Sequence, residues 1–135
     1  MTKLQDVRVL VCGDRDWADK AMIRYYLERT LPSMGMKPVL VIEGEARGAD
    51  RLAREVAEQL GITVAPFPAT WNRYGRGAGP IRNKQMLVEG KPDVVIAFHD
   101  DLEHSKGTKN MVMQAATYKE KVNDNFTIIV VKHTI

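Results

Sequence analysis

The sequence predicts an α/β fold: a three-layer, Rossmann-like, doubly wound parallel sheet of about five strands, in the order 3-2-1-4-5. Two observations carry this. Short apolar runs alternate with amphipathic helical segments along all 135 residues, and that β-α order places helices on both faces of a parallel sheet. The runs VRVLVC and DVVIAF are nearly continuous in apolar residues, as strands buried on both faces are. The length suits one domain, residues 1–135, and a chain of this size buries roughly 68% of its unfolded surface, enough for one core.

The elements follow in order. Residues 7–13 form a strand that ends in Gly13. Residues 19–34 form a helix with Ile23, Tyr26, Leu27 and Leu31 on one stripe and Asp19 near its start. Residues 38–44 are the second strand. Residues 49–60 put Leu52, Ala53, Val56, Ala57 and Leu60 on one face, and Gly61 ends the helix. Residues 62–69 are a short third strand whose prolines suit an edge. A basic loop leads to a helix over 80–89, with Pro80 at its first position. Residues 92–99 are the fourth strand, 107–121 a helix bearing Met111, Val112, Ala115 and Ala116, and 125–133 the last strand.

Composition narrows the function classes. Cys12 is the single cysteine, so no internal disulfide forms, and its apolar surroundings suit a buried, inert thiol. No apolar run approaches the ~20 residues of a membrane span, and the first residues lack the apolar stretch of a signal peptide. A cytoplasmic protein with no membrane partner is expected. The net charge is +3, but it is unevenly placed. Residues 71–84 carry Arg73, Arg76, Arg82 and Lys84 with no acid, a local +4 that leaves −1 for the remainder.

In open parallel sheets, ligands bind beyond the carboxyl ends of the strands, so the loops there are the candidate site. The first, GDRDW at 13–17, has Gly13 for a tight turn, Asp14, Arg15 as a planar fork for phosphate and Trp17 as a face for a base. Packing of Trp17 in the core is the competing reading. The second, EGEARGAD at 43–50, offers Gly44, Glu45, Arg47, Gly48 and Asp50 beside a helix N-terminus, which favours anions; Asp50 also suits a helix cap. The third is glycine-rich and puts Arg82 and Asn83 in the first turn of a helix. Cations there oppose the helix dipole by ~0.3–1 kcal/mol each, and a bound anion reverses that cost. Trp71 and Tyr74 supply rings for base stacking. The fourth loop brings Gly107 and Thr108 to a helix start. His99, Asp100, Asp101, Glu103 and His104 show no established metal spacing, so no metal and no cofactor is predicted. Three charge-assisted contacts of ~1.5–3 kcal/mol each correspond to roughly millimolar to micromolar binding of a phosphorylated ligand.

GDRDW, EGEARGAD, ATWNRYGRGAGPIRNKQM and KGTKNMV, in this order, resemble the YspA-like branch of the SLOG superfamily. This Rossmann-like group includes the Lonely Guy phosphoribohydrolases and the DNA-processing protein DprA, and occurs in bacteria and their phages. The resemblance runs from about Val7 to Val131 and implies a site for a nucleotide or nucleotide derivative, and a possible homodimer. It assigns that site Gly13, Arg15, Trp17, Gly44, Arg47, Gly48, Asp50, Arg82, Asn83, Gly107 and Thr108. Three acids depart from the pattern: Asp14 stands at the usual serine, Glu43 at the usual histidine and Glu45 at the second glycine.

Three functions follow. The favoured one is binding or sensing of a small nucleotide-derived ligand. The second is cleavage of the base–ribose bond of a nucleoside monophosphate, as the resemblance to the Lonely Guy enzymes implies. Their signature resembles PGGxGTxxE, and aligned on Gly107–Thr108 its glutamate position is Met111, which cannot transfer a proton. Arg82 remains for the arginine role, and Asp14, Glu43 or Glu45 for a relocated acid. The third is single-stranded nucleic-acid binding through Trp71, Arg73, Tyr74 and Arg76, which alternate ring and charge.

Overall fold

A computed structural model describes residues 3–133. Five parallel strands, β1 (Gln5–Gly13), β2 (Met36–Glu43), β3 (Thr63–Pro66), β4 (Val94–Phe98) and β5 (Thr127–Val131), lie in the order β3-β2-β1-β4-β5. The expected sheet is therefore present. Alternating side chains divide the core in two. Val7, Val9, Val11, Val94, Ile96 and Phe98 face α1 (Lys20–Tyr25), α2 (Leu31–Ser33) and α3 (Ala49–Gln59). Leu10, Cys12, Val95 and Ala97 face α5 (Ala78–Gly90) and α6 (Gly107–Lys121). Both faces of β1 and β4 are thus covered, which explains their near-continuous apolar runs.

The helix expected over 19–34 is interrupted. Asp19 caps it, its Oδ1 accepting from the Met22 N–H at 3.0 Å, but residues Tyr26–Thr30 widen into a π turn between α1 and α2. The cause is Pro32 in the following turn. A proline has no N–H for the carbonyl four residues earlier, and its ring crowds that carbonyl. The coil adjusts by pairing Leu31 N–H with the Tyr26 carbonyl, five residues back.

The basic segment is more ordered than a loop. A short helix α4 (Trp71–Tyr74) and a 3₁₀ turn (Gly75–Gly77) precede α5. α5 begins two residues before Pro80, which is compatible with the proline because the first four helical N–H groups need no intrahelical partner. Strand β3 sits at the sheet edge and is shorter than expected, ending at Pro66. No helix among the described residues is long and apolar enough to cross a membrane.

The chain reverses direction across the sheet between β1 and β4, neighbours whose connections run to opposite sides. The loops after β1, β2, β3 and β4 therefore share one rim, and the crevice at β1/β4 is the topological switch point of the sheet.

Candidate functional site

The rim loops are locked to one another through the backbone. Asp14 N–H donates to the Phe98 carbonyl at 2.9 Å, joining the ends of β1 and β4. The Asp14 carbonyl accepts from Ala49 N–H at 3.1 Å, drawing the start of α3 against the first loop. Gly48 makes this approach possible. Its φ is +78°, and a Cβ there would collide with the carbonyls of Asp14 and Arg15. Gly44 instead leaves room for a side chain. A Cβ at this position would strike the Arg82 guanidinium, which donates from Nη1 to the Gly44 carbonyl at 2.6 Å. Arg82 Nε also donates to Asn83 Oδ1 at 3.0 Å. Asn83 in turn donates from Nδ2 to the Gly107 carbonyl and to Asn110 Oδ1, tying α5 to the start of α6.

These contacts surround a hollow of about 450 Å³ at the switch point. Arg15, Arg47, Arg82 and Lys106 line it, together with Gly13, Asn83, Gly107 and Thr108, and Cys12, Met86 and Met111 supply its apolar part. Its size lies within the range of small-molecule sites. The N-terminal end of α6 opens onto it, with Ser105 Oγ capping Thr108 N–H at 3.1 Å. Burial pushes the Cys12 thiol far up, so it stays protonated.

Acids temper this charge. Asp14 and Asp16 also line the hollow. Asp16 pairs with Arg47 at 3.2 Å, an exposed contact of the kind worth little. Asp14 Oδ1 accepts from Asp16 N–H. His99 Nδ1 accepts from Asp101 N–H at 3.0 Å, which leaves the proton of the neutral ring on Nε2, 3.9 Å from Asp14 Oδ2.

Two buried carboxyls lie behind the second loop. Asp50 Oδ2 accepts from the N–H groups of Gly44 and Ala46. Burial pushes its carboxyl up to about 6, against the pull of Arg82 and of those two N–H groups. Glu43 is fully buried. Its Oε2 accepts from Glu45 N–H at 2.9 Å, and Oε1 has no hydrogen-bond partner among the described residues. Burial pushes it up to about 7 despite the Glu45 N–H. Glu45 itself holds φ +59°, a conformation that costs a non-glycine residue about 1 kcal/mol. Its carboxylate pairs with Arg54 at 3.0 Å.

Of the residues expected at the site, Gly13, Asp14, Arg15, Arg47, Asp50, Arg82, Asn83, Gly107 and Thr108 line the main hollow. Gly44, Glu45 and Trp71 line an adjoining one of about 280 Å³, which shares Arg15, Arg47 and Arg82 with the first. Tyr74 lies apart. It borders a third, larger hollow of about 520 Å³ between residues 68–74 and α5, where Arg82 again forms part of the wall. That hollow lies on the flank of α5, away from the switch point and the start of α6. Trp71 and Tyr74 do not share one stacking surface.

Two expectations need correction. Trp17 is not a platform at the hollow: it is buried at 5% exposure, packed on Phe98 and stacked on His133 with centroids 4.4 Å apart. Its Nε1–H donates to the Asp19 carbonyl. The ring's apolar area went to the core, the competing reading of that residue. Asp50 does not cap α3. Gly48 holds the cap position without a side-chain bond, and Asp50, one residue inside the helix, turns back to the preceding loop. Sequence reasoning did not select Lys106, Ser105, His99 or Arg51. A signal existed for Arg51, since it sits in the first turn of α3, where a cation opposes the dipole just as Arg82 does on α5.

The comparisons with known proteins agree with this architecture. The sequence pattern of the YspA, cpYpsA-related SLOG family matches residues 7–74, which include the first two rim loops and Trp71. The chain belongs to this family. It is also similar to the Gene 61 protein of Mycobacterium phage D29, 35% identical over 113 residues that cover 80% of this chain and 87% of that protein. Membership of the SLOG family suggests nucleotide-related binding or processing. In this family member, glutamates occupy positions 43 and 45, and one of them carries the left-handed backbone that a glycine adopts without cost.

Proposed function

We propose that the protein binds a small nucleotide-derived ligand in the hollow at the β1/β4 switch point. One observation carries the reading: Arg15 and Arg47, from two rim loops, and Arg82, from helix α5, border the same space as the start of α6. Helix N-termini and arginine forks both favour phosphate oxygens. The apolar wall of Cys12, Met86 and Met111 suits the uncharged part of such a ligand. The test is thermal stability of the purified chain across a panel of nucleotides. Stabilisation by at least one nucleotide, abolished in Arg82→Ala, is expected; no response to any of them would end this reading.

One observation favours a second reading, hydrolysis of the base–ribose bond. Asp50 lines the hollow with its carboxyl raised to about 6, near the range useful for proton transfer. Against it, Met111 is buried at the position where the hydrolase signature has glutamate, and both Asp50 bonds serve the loop backbone. Release of free base from nucleoside monophosphates, lost in Asp50→Asn, would establish this alternative.

A further inference from the structure

The hollow beside Trp71 has features that a single nucleotide site does not use. Trp71 is 49% exposed and belongs to neither core cluster. Its ring rests against the start of α5, with Cη2 3.6 Å from where a Cβ on Gly79 would stand. A tryptophan placed this way gives up about half of the burial its area would offer in a core. Arg51 joins it in the wall. Arg15, Arg51 and Arg82 have no carboxylate within ion-pair distance among the described residues. The acid in this wall, Glu45, is paired with Arg54. Arg15, Arg47 and Arg82 line both this hollow and the main one, so the densest positive charge lies at their junction.

We propose that the Trp71–Arg51 hollow is a second subsite and that the ligand is a dinucleoside diphosphate. One nucleoside occupies the main hollow, the diphosphate lies at the junction among Arg15, Arg47 and Arg82, and the second ring stacks on Trp71. Arg51 adds charge on the Trp71 side. The proposal rests on the main hollow being a nucleotide site and deepens it by naming a ligand with a ring at each end. A diphosphate bridge fits because three of the four residues the two hollows share, Arg15, Arg47 and Arg82, are cations, the fourth being Ala46, while both ends of the path carry apolar surface.

The test is calorimetric titration of the full chain with three sets of probes: the four common nucleoside 5′-monophosphates, their 5′-diphosphates and the symmetric 5′,5′-dinucleoside diphosphates. A dinucleoside diphosphate carries less charge than the corresponding nucleoside diphosphate, so any gain in affinity comes from the second nucleoside. At least tenfold tighter binding of one dinucleoside diphosphate is expected, in line with base–aromatic stacking. Trp71→Leu should remove that gain while leaving affinity for the nucleoside diphosphate within about twofold. Arg51→Gln should weaken both diphosphate-containing probes. If mono- or diphosphates bind but the second nucleoside adds nothing, or its gain survives Trp71→Leu, the second subsite is refuted and the nucleotide site stands. If no probe binds, both readings fall.

Discussion

Replacing Glu43 by glutamine keeps the side chain's shape and removes its charge. The carboxyl stands at about 7 in the fold against an ordinary 4.5. The native state therefore holds this proton more tightly than the unfolded chain does. The stability this group contributes is fully present below pH 4.5 and falls as the pH climbs through about 7. At 1.36 kcal/mol for each pH unit between the two values, the loss by about pH 8 is about 3 kcal/mol. Glu43→Gln does not titrate and escapes that loss. It carries a pH-independent cost of about 1 kcal/mol or more instead, because its amide puts two N–H donors where the protonated carboxyl puts one O–H, and that position has no partner among the described residues. Asp50 also titrates abnormally, but it is present in both proteins, so most of its effect cancels in the difference. The assay is urea unfolding of both proteins from about pH 5 to pH 8.5, with equal m values as the check on two-state behaviour. The variant should gain on the natural protein by about 2.5 kcal/mol across that interval, since about 0.8 kcal/mol is already lost at pH 5. A difference that stays flat with pH would refute the claim that Glu43 is buried and protonated near neutrality.

Other substitutions probe other parts of the rim. Gly48→Ala should destabilise by about 2 kcal/mol or more in urea unfolding, because the methyl group meets two backbone carbonyls at a positive φ. Gly44→Ala meets only the end of the Arg82 side chain, so it should change stability by less than about 1 kcal/mol yet weaken nucleotide binding in a titration. Unaltered affinity would show that the position of Arg82 does not matter. His133 is bound by Asp100 and Asp19, which raise its pKa, Asp100 foremost. Its contribution is thus present below the ordinary 6.5 and lost as the pH rises through its folded value. The stability difference between the natural protein and His133→Gln should shrink from pH 6 to pH 9; a constant difference would remove these ion pairs from the account.

Periodicity made the sheet legible. VRVLVC and VVIAF reveal two-sided burial directly, and the helices that cover them show their own stripes. Less visible were effects with a partner far away in sequence. The stripe of residues 19–34 hides the π turn because Pro32 disturbs the carbonyl ladder without altering the apolar spacing. Trp17 fits a ligand platform and a core equally well until His133, over a hundred residues away, is placed against it. Arg15, Arg47 and Arg82 were legible as cations at strand ends; that they border one space depends on the interlocking of Gly48, Asp14 and Gly44. Glu43 was visible as a departure from the family pattern. Its complete burial was not, since charged residues are almost never fully buried without a partner.

Arg82 borders each of the three hollows along this rim. Trp71 and Tyr74 meet different hollows, but they stand three residues apart on α4 and both spaces are walled by Arg82, so changes at these two rings should couple in a double-mutant cycle. A change at Arg82 reaches both. One guanidinium thus ties three neighbouring spaces together for as long as it keeps its hold on the Gly44 carbonyl.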